Sequence, residues 1–205
     1  MAGQTGFWWI LLAMGWYGGL HSLLASTSAK ALAERWFGLA GRRFYRLFFN
    51  IIVSLTLLPV AALVGFLPDG RIYSIPFPWV LLTLVLQALA GLGLLLGVYQ
   101  TGGMQFLGLA QLIAPVKEET PARFVSHGLY GYVRHPLYTL GLVIIWLAPG
   151  MNWNVLGFNL GITLYILVGI QFEERKLLVE FGQLYADYRR RVPMLLPGIR
   201  RFKGG

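Results

Sequence analysis

The chain has 205 residues, of which 57% are hydrophobic and only 12% charged, with a mean hydropathy of +0.63. That is too much apolar surface for one soluble core and too few charges to keep it in water, so the composition describes an integral membrane protein. The lack of cysteine excludes disulfides, thiolate metal sites and a cysteine nucleophile; the net charge of +9 flanks apolar segments, which fits anionic lipid and membrane topology rather than nucleic acid.

Five apolar segments follow in order, each judged against the roughly 20 helical residues that cross a hydrocarbon core. The first, Phe7 to Ala25, is preceded by Met1 to Gly6 without Lys or Arg and ends without a small-residue cleavage site, so it reads as a retained helix rather than a signal peptide. Phe44 to Leu67 and Trp79 to Tyr99 are long enough to span. The fourth, Leu137 to Pro149, is short, and its helix is expected to begin before Pro136. Trp153 to Phe172 forms the second arm of a helical hairpin turning through Asn152.

After Phe172 the period changes. Leu177, Leu178, Phe181, Leu184, Tyr185 and Tyr188 recur at three- and four-residue steps, which predicts an amphipathic helix lying on the membrane surface until Val192-Pro193 stops it. Sixteen of the 17 basic residues fall in the first loop, the third loop and the tail, and only Arg71 falls on the other side. The positive-inside bias therefore predicts an outside N-terminus and a cytosolic C-terminus. The expected fold is all-α, one membrane domain over residues 1–205, with five transmembrane helices and a C-terminal cytosolic amphipathic helix.

Two polar motifs meet at the predicted cytosolic face. Gly128-Leu129-Tyr130-Gly131-Tyr132-Val133-Arg134-His135-Pro136-Leu137-Tyr138 precedes the fourth segment, and Glu173-Glu174 follows the fifth. Ionisable groups are costly at the edge of hydrocarbon, so their clustering points to a polar site set into the bundle. Each also has a structural reading. Arg134 can snorkel to headgroups, His135 can serve a helix start, and Glu173 can pair with a nearby arginine.

These motifs, with Phe181-Gly182-Gln183-Leu184-Tyr185-Ala186-Asp187-Tyr188, Val192-Pro193 and Pro197, resemble the isoprenylcysteine carboxyl methyltransferase and phospholipid methyltransferase superfamily over about Val125 to Pro197. The resemblance implies S-adenosylmethionine as cosubstrate, held between the last two helices and the tail, and a lipophilic or small-molecule acceptor reached from the membrane lipid. On this similarity residues 1–100 supply three spans and 101–205 the cofactor-binding loop, hairpin and terminal helix. Val125, Gly128 and Tyr130 would shape the entrance; His135, Pro136, Leu137 and Tyr138 would pack along the cofactor; Glu173 would bond its polar end. No catalytic base is assigned, the candidates for chemistry being Arg134, His135 and Glu174. The chain departs from the prenylcysteine enzymes at Gly169, where they carry a substrate-contacting arginine, and Gln111 is the stand-in for their cofactor-contacting glutamine.

A second resemblance lies in the N-terminal half. Trp16-Tyr17-Gly18-Gly19-Leu20-His21-Ser22 and Arg42-Arg43-Phe44-Tyr45-Arg46 are similar to NnrU-type membrane proteins, which would make His21 an axial haem ligand, with His127 or His135 as the second, in a membrane isomerase or redox protein. The competing reading of His21 is a hydrogen-bonded structural group within the bundle. Brevity and this N-terminal similarity suggest a bacterial inner membrane.

Overall fold

The computed structural model describes residues 5–100 and 124–198. Helix α1 (Phe7–Ala25) coincides with the first predicted segment. Ser26, in extended conformation, ends it and caps α2 (Thr27–Phe66) by accepting a hydrogen bond from Ala29 N at 3.1 Å. The 40 residues of α2 exceed what a bilayer needs, and Gly38 at φ 58° divides the helix into an exposed basic arm and a longer apolar one. The predicted first loop is thus largely helical. Strand β1 (Arg71–Ser74) leads to α3 (Trp79–Gln100), whose 22 residues make about 33 Å of helix.

Beyond residue 124 the chain forms a 3-10 turn (Gly128–Gly131), α4 (Pro136–Trp146), strand β2 (Gly150–Asn152), α5 (Trp153–Phe181) and α6 (Gln183–Arg191). Two expectations are corrected here. The fourth helix starts at Pro136 and not before it, with His135 as its cap, because proline's fixed φ and missing N–H suit the first helical position. No separate amphipathic helix starts after Phe172: α5 runs on to Phe181, and the break comes at Gly182, whose φ of 53° only glycine adopts easily. The final helix is a nine-residue piece. Among the described residues three helices, α2, α3 and α5, are long and apolar enough to cross a membrane, and α4 is a shorter apolar helix. This is a mostly helical membrane protein.

Helix α1 packs against α2 and α5, and α3 runs along α4. The core of the first group is Ile10, Met14, Tyr17 and Val60, with Phe158 and Ile162 against it. Glycines let the helices approach: a Cβ at Gly161 would lie 2.7 Å from Met14, and one at Gly97 would lie 2.6 Å from Leu137. Large apolar side chains such as Trp9, Leu12, Leu58, Leu82 and Leu95 are exposed, as expected of a surface meeting lipid.

One end of the bundle is pinned by polar contacts. β1 pairs antiparallel with β2, Gly6 N bonds Pro68 O at 2.7 Å, and buried Asn154 donates to the carbonyls of Leu67 and Pro68 at 3.0 and 3.3 Å. The start of α1 and the loops before α3 and α5 therefore share this end. The 128–138 and 173–191 segments lie together at the opposite one.

The 11 residues of α4 make only about 16 Å of helix, and its last carbonyls have no partner within the helix. Side-chain amides serve instead: Gln87 of α3 donates to Ile144 O at 2.7 Å and Asn159 of α5 donates to Ile145 O at 2.9 Å. Asn159→Leu should cost about 1–3 kcal/mol by leaving the Ile145 carbonyl unmatched. Thermal unfolding in detergent measures this, and an unchanged midpoint would show that the amide is dispensable.

Candidate functional site

Three segments converge at the end opposite the strands. The turn before α4 brings Arg134 and His135, the first turn of α4 brings Tyr138, and the last third of α5 brings Glu173 and Glu174. The tail then returns across them: Pro193 O accepts from Arg134 N at 2.8 Å, Met194 O from His135 N at 3.2 Å, and Leu195 O from the Thr139 hydroxyl at 2.8 Å. This extended strap after α6 closes the site's base.

The two glutamates have opposite surroundings. The Glu174 side chain is 5% exposed and holds Arg134 Nε at 2.7 Å, His135 Nε2 at 3.2 Å and Arg189 Nε at 3.2 Å. The Glu173 side chain is 45% exposed, accepts from the Tyr138 hydroxyl at 3.0 Å and lies 3.7 Å from His135 Nδ1. An ionised carboxylate only accepts, so the proton of a neutral His135 sits on Nε2, toward Glu174. The family resemblance assigns cofactor contact to Glu173; in the fold Glu174 is the hub of the ion pairs. Arg134 is equally committed, donating through Nη1 to Val192 O at 2.6 Å and Arg189 O at 3.1 Å.

Beside this cluster lies a cavity of about 370 Å³. Val125, Tyr130, His135, Pro136, Leu137, Tyr138 and Glu173 all line it, together with Arg134. Gly128 does not. Its φ of 63° makes the turn, and a Cβ there would meet the Gln100 side chain at 2.8 Å, so its place is at the α3 contact. Gln111 lies outside the described residues.

The remaining walls are Phe124, Leu177, Phe181, Tyr185 and Tyr188. Four of these belong to the stripe that periodicity assigns to the membrane surface, and the structure turns that stripe inward onto the cavity. The signal was present in the alternation itself, but an apolar face looks the same whether lipid or a cavity covers it. The kink at Gly182 makes the difference by turning α6 back toward the 3-10 turn, where Tyr188 meets Tyr130.

Tyr188 donates to Tyr130 O at 2.7 Å, tying α6 to the 3-10 turn. Burial raises the pKa of Tyr188, and burial followed by the Glu173 charge raises that of Tyr130. Tyr185 is 1% exposed, and burial followed by the Glu174 charge pushes its phenol up to about 12. All three stay neutral over the physiological range. His135 and Tyr138 stack with ring centroids 5.6 Å apart and planes 20° from parallel. The cavity thus offers an accessible carboxylate, stacked rings and apolar walls.

His21 lies elsewhere, between α1, α2 and α5. Its Nδ1 is 2.5 Å from the Tyr165 hydroxyl and its ring packs on Phe49 and Tyr165. His21 thus makes a hydrogen bond across the bundle, with Tyr165 of α5.

The chain is 34% identical over 190 residues to methanethiol S-methyltransferase 1 of Bradyrhizobium diazoefficiens, covering 91% of this chain and 65% of that protein. It is 40% identical over 116 residues to the methanethiol S-methyltransferase of Crocosphaera subtropica, covering 56% and 46%. These homologues support the isoprenylcysteine carboxyl methyltransferase-like membrane family. The protein-S-isoprenylcysteine O-methyltransferase of Schizosaccharomyces pombe is 33% identical over 119 residues, with 49% of this chain and 50% of that one covered. The chain spans about half to two thirds of the length of these relatives. No family model matches it, nor does any solved structure. The NnrU-type resemblance finds no support in these comparisons.

Proposed function

We propose that this membrane methyltransferase homologue uses S-adenosylmethionine to methylate a small thiol at the cytosolic face of a bacterial inner membrane. The observation that carries the reading is the 370 Å³ cavity between α4, α5 and α6, lined by seven of the eight residues that the family resemblance assigns to the cofactor. Its donor set suits that molecule. The half-exposed Glu173 carboxylate would meet the cationic amino end, the stacked His135 and Tyr138 rings offer a face to the nucleoside, and Leu137, Leu177 and Phe181 keep water from the reacting centre. When bound, the cofactor supplies an activated methyl group.

The chain's own residues then contribute orientation and desolvation, which for an in-line displacement supply much of the rate. Glu174 cannot serve as a free base while it holds Arg134, His135 and Arg189. Its role in this reading is to fix His135 and Arg134 so that the cavity keeps its shape. A thiol already ionised is its own nucleophile, so no general base is assigned.

Two features favour a small thiol over a prenylcysteine. The relatives with the higher identities act, by their names, on methanethiol. Gly169, one turn before Glu173, carries no cation for an acceptor carboxylate, and a Cβ there would meet nothing within 4 Å. The cytosolic placement rests on the sequence bias that puts sixteen of the 17 basic residues in the first loop, the third loop and the tail.

Calorimetry of the detergent-purified chain should show saturable, one-to-one binding of S-adenosylmethionine and S-adenosylhomocysteine. Headspace analysis should show methanethiol converted to the dimethyl thioether. A folded sample that binds neither nucleoside would overturn the reading; binding without thiol methylation would remove only the acceptor.

A further inference from the structure

His21 and Tyr165 form a pair outside the cavity lining, and α5 connects the two places. Helix α1 starts at the strand-linked end, so His21, one turn before Ala25, lies toward the end that holds the cavity. Tyr165, Gly169 and Glu173 follow one another along α5 at four-residue steps of about 6 Å. The first meets His21 Nδ1 at 2.5 Å and the last accepts from Tyr138 at 3.0 Å. The Tyr165 phenol also acts electrostatically on that of Tyr138, so the two pairs are within charge reach of each other.

The space between them is open. Among the described residues a Cβ at Gly169 would meet nothing within 4 Å, and neither would one at Gly141, one turn along α4 from Tyr138. Contacts at both ends of the hairpin, His135 with Glu174 and Asn159 with Ile145, set α4 and α5 antiparallel. Both glycines therefore stand just deeper than the Tyr138–Glu173 bond, and both are part-buried. The hairpin has a gap beside the cavity, with Tyr165 one turn further along α5.

The reaction proposed above leaves one proton to be placed. A thiol is mostly protonated near neutral pH, and its thiolate is the nucleophile. Within the cavity Glu174 is committed to Arg134, His135 and Arg189, and Glu173 is assigned to the cationic end of the cofactor. The Tyr165–His21 pair carries neither duty. A phenol has one proton to give, and a neutral His21 with its own proton on Nε2 accepts it at Nδ1. Packing fixes both rings: Phe49 lies edge-on to His21 at 5.0 Å between centroids, and Tyr17 lies edge-on to Tyr165 at 6.0 Å.

We propose that the Tyr165 phenol, backed by His21, takes the proton of an acceptor thiol seated in this gap. The S–H proton passes to the Tyr165 oxygen and the Tyr165 proton to His21 Nδ1. The thiol sulfur's electron pair forms the new bond to the transferred methyl carbon, and the old bond from that carbon leaves its electrons on the cofactor sulfur. His21 then returns the extra proton to water, so the products are a thioether, S-adenosylhomocysteine and one proton. Tyr165 touches the substrate, and His21 acts through it. The inference rests on the thiol reading of the function and adds a base to it.

The test uses the full chain in detergent. With only three histidines, isotope-labelled ring nitrogens can be assigned by nuclear magnetic resonance against His21→Phe. His21 of the parent should carry its proton on Nε2; a proton on Nδ1 would reverse the hydrogen bond and overturn the relay. Tyr165→Phe, which keeps the ring, should bind S-adenosylmethionine like the parent and lose at least about 100-fold in kcat on methanethiol. On hydrogen sulfide, smaller and already largely ionised near neutral pH, it should stay within a few-fold of the parent. His21→Phe should show the same selective loss. Equal loss on both acceptors, undiminished methanethiol turnover, or lost cofactor binding would each overturn the base assignment while the thiol reading stands. A parent that binds S-adenosylmethionine and methylates neither acceptor would bring down the thiol reading and this inference together.

Discussion

Glu174→Ala should lower the thermal midpoint of the purified chain by on the order of 10 °C and abolish cofactor binding with it. Glu174 holds three cationic or potentially cationic groups, Arg134, His135 and Arg189, while its own side chain is 5% exposed. Removing one partner of a buried ion pair leaves the others uncompensated and costs about 3–5 kcal/mol, which in a chain of this size moves the midpoint by roughly 2–4 °C per kcal/mol. The damage should be local to α6 and the strap, because Arg134 also carries the carbonyls of Arg189 and Val192. Hydrogen exchange would find the lost protection in residues 183–195, with the strand-linked end unaffected. Glu174→Gln, which keeps the volume and one acceptor, should fall between parent and alanine. A Glu174→Ala protein with the parental midpoint would mean that the arginines re-pair elsewhere and that the hub assignment is wrong.

Glu173→Gln should do the reverse: keep the midpoint within about 1 °C and weaken S-adenosylmethionine binding by roughly 10- to 100-fold. Its side chain is 45% exposed, so the fold has little invested in its charge, and an exposed pair is worth under about 1 kcal/mol. Toward a cationic ligand in the cavity the same carboxylate supplies a charge-assisted hydrogen bond worth about 1.5–3 kcal/mol. Calorimetry on both variants separates the two roles, since adjacent glutamates on one helix would then report stability and affinity independently. If Glu173→Gln binds as the parent does, the polar end of the cofactor is held by another group and the proposed orientation is reversed.

The residues of this site were legible in the sequence because expensive groups declare themselves. Arg134, His135, Glu173 and Glu174 stand beside hydrocarbon-length segments, and although each has a structural reading alone, their clustering points to a polar site. The first helix was legible to the residue, since a contiguous apolar run bounded by Gly6 and Ser26 can do little else. The stripe from Leu177 to Tyr188 was legible as a stripe but not as a cavity wall. Periodicity records which side chains share a face, and only the turn at Gly182 decides what that face meets.

Two further features lay out of reach for the same kind of reason. β1 and β2 are four and three residues long and pair across 75 or more positions of sequence, so neither has a local pattern that identifies it. The capping of α4 by Gln87 and Asn159 likewise joins three separate helices.

By itself the sequence determined that this chain lives in a membrane, which of its ends is basic, and which polar residues gather there, because hydropathy and charge are properties each residue carries alone. The tertiary structure decided that Glu174 rather than Glu173 is buried, that α6 folds back over the cavity, and that His21 answers to Tyr165. Burial and partnership are relations between segments far apart in sequence, fixed only when the helices pack.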